Sequence, residues 1–341
     1  MLESELRQAL AQGVAQGAAP AAVLLLWSGG EPVFIEAAGQ AEQDTVFDLA
    51  SLTKPLAAAP LALDLAREGV LDWSATLYDL WGQAVPEDKD PITVGQLLTH
   101  AAGFPAYQPY YQALLKLPPA QRWGLLRSML MNEPLAHPPG SKALYSDLGY
   151  MVLGLLLEQG FGRELDQALA AQQARLGVEG PRYLPLGKPL PWPRERIAPC
   201  GPLPGRPLVH GEVEDENCHA LGGVGAHAGL FGTARQVASL TSALVREAAP
   251  LFEVDRATPG SGRTPGFDTP SGPDSLAGPN APAGTVGHLG FTGCSLWWHP
   301  PTDRGVVLLS NRVALGRDNH KINPLRRQVH HLAWRVLGEA A

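Results

Sequence analysis

Three short stretches carry side chains that can do chemistry together. In Ser51-Leu-Thr-Lys54 a hydroxyl and an amine stand three residues apart, a spacing that puts both on one face of a helix. A lysine desolvated at the bottom of a cleft loses basicity and can then accept the proton of a serine nucleophile. Further along stand Tyr145-Ser146-Asp147, ahead of an apolar run, and His288-Leu289-Gly290-Phe291. Each stretch also has a plainer reading. Ser51 sits where a helix N-cap sits, Tyr145 suits a half-buried packing position, and His288 suits the end of a strand. Lys54 fits the plain reading poorly, because a cation in the first helical turn faces the positive end of the helix dipole.

The elements that must position these residues are readable in outline. The run from Leu52 to Glu68 is apolar on nearly every face and ends at Gly69, the place of a left-handed cap. Pro60 weakens this helix by removing an interior hydrogen bond. AAVLLLW (Ala21 to Trp27), SGGEP and VFIEAAG read as two strands around a Gly/Pro turn. ITVGQLLTHAAGF predicts a short apolar helix ending at Gly103, and further helices are expected over Leu148 to Gln159 and Arg235 to Ala249. Residues 107–140 read as helical with proline interruptions, whereas 181–207 and 256–284 are Pro/Gly-rich connections, the latter of the kind that lines sites. TVGHLGFTG, CSLWWHP and GVVLLSN read as three strands before a terminal helix. Strands at both ends and helices between predict an α+β fold, with one antiparallel sheet drawn from both termini and a helical part beside it. Residues 1–341 are taken as a single domain, its sheet part from about 1–50 and 280–341 and its mainly helical part about 51–250.

The chain has 341 residues, 45% hydrophobic and 17% charged, enough for a sizeable core. Its net charge of −7 and the absence of any basic run argue against nucleic acid or an anionic membrane surface as partner. Cys200, Cys218 and Cys294 are odd in number and far apart, so no disulfide framework is expected and each reads as a small buried apolar group. The first residues, MLESELRQALAQG, read as an amphipathic helix, and AAVLLLW is too short for a membrane span and wrongly flanked for a signal peptide. A cytoplasmic protein is the expectation. The stretch GEVEDENCHALGGVGAHAGLFGTA gathers Glu212, Glu214, Asp215, Glu216, His219 and His227 in spacings that match no standard metal-ligand pattern. A solvated acidic loop leading into a Gly-rich turn and a helix is expected there. Trp297 and Trp298 point to opposite faces of a strand, at least one into the core.

Taken in order, S-x-x-K, Y-x-D and H-x-G resemble the S-x-x-K, Y-x-N and K/H-T-G motifs of the serine β-lactamase and penicillin-binding-protein family, in particular its class C-like and esterase branch. The segments FDLASLTK, LDWSATLYDLW, ITVGQLLTHAAGFP, YSDLGYMVLG, LGGVGAHAGLFGTA and GHLGFTGCSLWWHP carry the resemblance from about residue 20 to the terminal helix. It implies a five-stranded antiparallel sheet flanked by helices, a helical subdomain, and a site in the cleft between them. By that resemblance Ser51 is the acylated nucleophile, Lys54 its partner in proton transfer, and Tyr145 the general base or acid. The N–H groups of Ser51 and Phe291, the latter just past Gly290, form the oxyanion hole, and His288 takes the place of the motif's basic residue. Asn217 or His227 borders the cleft, THAAG is scaffold, and no metal or organic cofactor is required.

Two departures shape the expected substrate. Asp147 replaces the motif's Asn, and an ionised carboxylate there is expected to raise the Lys54 pKa and shift the base role to a Tyr145 phenolate. Leu289 replaces the Thr whose hydroxyl helps to bind a substrate carboxylate. Both favour a neutral or weakly charged small-molecule ester or amide, hydrolysed through an acyl-enzyme. The alternatives are a β-lactamase or D-alanyl-D-alanine carboxypeptidase acting on lactam or peptide, and a catalytically silent member used as a binding module. The same residues also serve acyl transfer to an acceptor other than water. No G-x-S-x-G elbow is present, which argues against an α/β-hydrolase. The sequence assigns no oligomeric state.

Overall fold

A computed structural model describes residues 1–272 and 274–339. Five strands form one antiparallel sheet in the order β2-β1-β8-β7-β6, from β1 (Ala21–Ser28), β2 (Glu31–Gly39), β6 (Val286–Leu289), β7 (Ser295–His299) and β8 (Arg304–Ser310). The α+β architecture is the one expected. AAVLLLW is continuously apolar because β1 lies inside the sheet and is buried on both faces. Val23, Leu25 and Trp27 pack into the main core with Val307, Leu309 and Trp298, while Ala22, Leu24 and Leu26 face a second core with Val306, Leu308 and Trp297. Both tryptophans are therefore core, on opposite faces, as the period of two requires. Helices Leu2–Ala15 and Ile322–Glu339 cover the second face. Helices Ala59–Arg67, Asp147–Phe161 and Ala234–Leu244 fill the first, where each fully buried leucine contributes about 1.5–3 kcal/mol.

The helix expected over Leu52 to Glu68 is built from three pieces. A 3₁₀ turn over Ala50–Leu52 leads to a π-turn over Lys54–Ala58, in which the Ala59 N–H reaches back to Lys54 O, and a regular α-helix begins only at Ala59. Pro60 has no N–H to donate to the preceding turn, so the wider turn absorbs the missing bond. The far end behaves as read: Gly69 has φ +69°, its N–H bonds Ala66 O, and Val70 N–H bonds Leu65 O, a Schellman closure. The helix expected to end at Gly103 is shorter, Val94–Leu98, opened by a Thr93/Gln96 capping box. His100, at φ +60°, turns the chain earlier.

A second, three-stranded sheet in the order β3-β5-β4 has no counterpart in the sequence reading: β3 (Phe47–Asp48), β4 (Arg182–Tyr183) and β5 (Leu230–Gly232). Strands of two or three residues are too short to show a period. This small sheet nevertheless anchors the chain entering Ser51, since Leu49 N–H bonds Leu230 O just beyond the β3 pairing. Among the described residues no helix is long and apolar enough to cross a membrane.

Candidate active site

Ser51 lies inside the 3₁₀ turn, not at a helix N-cap, so its hydroxyl is free for other partners. Lys54 Nζ approaches it from below, 3.1 Å from Ser51 Oγ, 2.7 Å from Asp147 Oδ1 and 2.9 Å from the carbonyl of His227. Those three acceptors match the three donors of an ammonium. From the other side the Tyr145 hydroxyl stands 2.7 Å from Ser51 Oγ and 3.3 Å from Asp147 Oδ1. Ser51, Lys54, Asp147 and Tyr145 thus close a ring of hydrogen bonds.

Local structure explains why Tyr145 reaches in. Ser146 caps the helix Asp147–Phe161, accepting from Gly149 N–H at 3.1 Å, and its hydroxyl donates to Pro105 O. The Ser146 N–H donates to His100 Nδ1 at 3.0 Å, and the His100 ring lies 4.6 Å from that of Tyr145. The left-handed conformation of His100 aims this ring at the tyrosine. THAAG, read as scaffold, holds Tyr145 through His100. Nothing in the sequence marks a histidine for positive φ.

Burial moves the pKa values of Lys54 and Tyr145 away from the expected directions. Lys54 is fully enclosed, which pulls its ammonium below the usual range; the Asp147 carboxylate opposes this and offsets only part. Asp147 does raise the lysine as expected, but burial outweighs it and the net direction is downward. Burial also pushes the Tyr145 hydroxyl well above its ordinary pKa, with the Asp147 charge adding to the effect. Tyr145 is a neutral phenol here and not the phenolate expected. Burial lowers the pKa of His288, which stands in the place of the motif's basic residue, to about 4. Its Nδ1–H donates to Leu289 O at 2.8 Å, leaving buried Nε2 an acceptor with no partner among the described residues. Its ring stands 5.8 Å from that of Tyr145.

The open edge of the main sheet is β6, and its alternation decides which amides face the cleft. Gly287 exchanges both backbone bonds with Asp268 on the outer side, whereas Gly290 N–H turns inward to Cys294 O. Two-residue periodicity then points the Leu289 amide outward, and the chain turns after Gly290, where Gly293 N–H bonds Gly290 O. The Phe291 N–H has no acceptor among the described residues, and its side chain is exposed over Arg312 and Arg317. Only glycine fits at 290, because a Cβ there would lie 2.8 Å from the carbonyl of Leu49 on the chain entering Ser51.

The cleft encloses ≈ 660 Å³ and brings together every residue singled out in the sequence for the site except Lys54, which lies beneath its floor, and Asn217, which is buried against Gln108 and Tyr111 while His227 lines the cleft. Its far wall is the stretch expected to be a solvated acidic loop. That expectation is overturned. Glu214 is 4% exposed and Asn217 and His227 are buried. Arg317 pairs with Glu214 at 2.7 Å and with both oxygens of Glu216, and His227 Nε2 pairs with Asp215 at 3.1 Å. Glu214 and Glu216 are paired with Arg317, and Asp215 with the His227 ring, instead of being solvated. Sequence reasoning also missed Arg263, which pairs with Asp268 and lies 5.6 Å from the Tyr145 ring, and Arg312 and Arg326 on the opposite side. Arg263 sits in a Pro/Gly-rich connection with no period, and the backbone carbonyls that hold Arg312 and Arg326 leave no trace in residue types, so no signal was there to find.

Residues 6–331 match the family described as Beta-lactamase. The chain belongs to the β-lactamase family. It is a serine hydrolase of that family, with the mixed fold of its members. One relative, from Salmonella agona (strain SL483), carries the description "Putative D-alanyl-D-alanine carboxypeptidase" and is 28% identical over 321 residues, 83% of this chain and 73% of the relative. The octameric penicillin-binding protein homologue of Pyrococcus abyssi superposes with a TM-score of 0.73 at 18% identity, covering 98% of this chain and 77% of its own. EstCE1, a hydrolase with promiscuous acyltransferase activity, superposes with a TM-score of 0.68 at 22% identity, covering 95% and 98%. At these identities the two structural likenesses concern the fold.

Proposed function

We propose that this β-lactamase-family protein hydrolyses neutral or weakly charged small esters or amides through an acyl-enzyme on Ser51. The closed ring of Ser51, Lys54, Asp147 and Tyr145 beneath an edge-strand amide carries this reading. Opposed pKa directions divide the roles: a lysine pulled down is the base, and a tyrosine pushed up is the acid. As a free amine, Lys54 donates to Asp147 and His227 O and turns its lone pair to Ser51 Oγ. It takes the serine proton as Oγ bonds to the acyl carbon. The Ser51 and Phe291 N–H groups hold the oxyanion. Tyr145 then gives its proton to the leaving group as the acyl–heteroatom bond breaks. The lysine proton returns to Tyr145 through Asp147 Oδ1, which both groups contact. Water reverses the sequence to release the acid.

Preference for an uncharged substrate follows from the state of the cleft cations. Lys54, Arg263 and Arg317 face carboxylates, and Arg326 donates to the carbonyls of Gly290 and Cys294. Arg312 donates to the carbonyls of Arg317 and Asn319 and lies over Phe291. Three of these cations are thus already matched by carboxylates, and Leu289 offers no hydroxyl for a substrate carboxylate. The description of the Salmonella relative favours a second reading, a D-alanyl-D-alanine carboxypeptidase. Intact mass after exposure to a fluorophosphonate, a p-nitrophenyl ester and a penicillin separates them. The first reading expects a fluorophosphonate adduct on wild type and none on Ser51→Ala, with ester turnover and no productive penicillin reaction. A stable penicillin adduct or penicillin turnover favours the second, and no adduct at all refutes both.

A further inference from the structure

Three residues before Ser51 stands a carboxylate that the proposed chemistry does not use. Asp48 is 2% exposed, and among the described residues no cation pairs with it. One of its oxygens accepts the Ala50 N–H at 2.8 Å and the other the Glu214 N–H at 2.7 Å. Its carbonyl accepts the Thr292 hydroxyl at 2.7 Å. One residue thereby ties three separate segments: the turn carrying Ser51, the Glu214–Glu216 wall, and the loop carrying Phe291. The first tie holds a costly conformation, since Ala50 is a non-glycine residue at φ +48° and such backbone persists only where its surroundings impose it. From its other side the Phe291 loop is held by Arg326, which donates to the carbonyls of Gly290 and Cys294.

We infer that Asp48 is a positioning residue for the oxyanion hole, setting the Ser51 and Phe291 amides against each other through its side chain and its carbonyl. The inference rests on the reading of Ser51 as nucleophile. Among the described residues no other residue hydrogen-bonds both of the segments that carry these amides, and a displacement of about 1 Å in such a site costs on the order of 100-fold in rate. An ionised carboxylate offers an acceptor to each N–H, whereas a protonated acid or an asparagine presents a donor at one of them and loses that bond. Burial raises the pKa of Asp48 to about 7, with the charges of Glu214 and Asp215 adding to it and the two N–H bonds opposing. The thiols of Cys200, Cys218 and Cys294, the remaining titratable groups around it, are pushed up by burial and neutral. Arg317 faces it only across Glu214.

The test compares wild type, Asp48→Asn and the near-isosteric Thr292→Val in ester hydrolysis and in inhibition by phenylboronic acid, whose tetrahedral adduct places an oxygen in the hole. Asp48→Asn is expected to lower kcat about 10- to 100-fold with KM held within about threefold, and to weaken boronate binding by a similar factor. The wild-type to Asp48→Asn ratio of kcat should shrink as pH falls below about 7, because protonated wild type shares the defect; limbs due to other groups cancel in the ratio. Thr292→Val should show the same split more weakly, and it decides the matter if Asp48→Asn does not fold. Unchanged kcat and boronate affinity, in a wild type whose Ser51 takes up fluorophosphonate, overturn the role of Asp48 alone. A wild type that takes up none overturns the nucleophile reading and this inference with it.

Discussion

Replacing Lys54 by methionine tests whether the resting site holds an ion pair. Methionine keeps the unbranched stem and deletes the charge. In the native site the lysine side chain is 0% exposed and its partner Asp147 is 18% exposed. Removing one member of a buried, hydrogen-bonded pair costs about 3–5 kcal/mol, because the other charge stays behind unpaired. Asp147 keeps some water, so the lower end applies, about 3 kcal/mol. In Lys54→Met/Asp147→Asn the abandoned charge is gone, and the double variant should recover about 1–2 kcal/mol over Lys54→Met. Guanidinium chloride unfolding of wild type, both single variants and the double variant closes the cycle. Ester turnover should fall at least about 100-fold in both variants lacking the lysine, whatever their stability. A Lys54→Met protein as stable as wild type, or a double variant no more stable than Lys54→Met, would falsify the resting ion pair. The base would then be an uncharged amine from the start.

Tyr145→Phe should cost on the order of 100-fold or more in kcat/KM for esters with poor leaving groups; turnover close to wild type removes the tyrosine from proton transfer. Leu289→Thr restores a hydroxyl on the outward edge of β6 and should raise kcat/KM for carboxylate-bearing esters about tenfold over neutral ones. No change in that preference means a carboxylate is held elsewhere or not at all. His330 is buried between Ser295 and the Leu276 carbonyl, and burial lowers its pKa to about 4. Folded His330 stays neutral while the unfolded chain protonates near 6.5, so wild type should lose about 3 kcal/mol relative to His330→Gln as pH falls from about 6.5 to 4. Denaturant midpoints of both proteins across that range check the sign, and parallel curves contradict it.

The α+β fold was legible because its long elements have strong periods. β1 reads as a strand from its unbroken apolar run, and the helix Asp147–Phe161 from its long apolar stretch. The spacing of Ser51 and Lys54 was legible too, as a pair of chemically suited groups within one helical turn. What the sequence determined by itself is therefore local: which residues share a face, where elements begin, and which side chains are able to react. Distant contacts decided the rest. The protonation preferences of Lys54, Tyr145 and His288 follow from burial, a property of the assembled molecule that outweighs the one neighbouring charge visible in the motif. The acidic stretch from Glu212 to Glu216 read as solvated because its partner Arg317 lies about a hundred residues away. Asp48 had no role in the sequence; folding brings Glu214 and Thr292 against it. Chemistry needs the residue types, which are written along the chain; their pKa values and mutual distances are set by packing, which only the tertiary structure supplies.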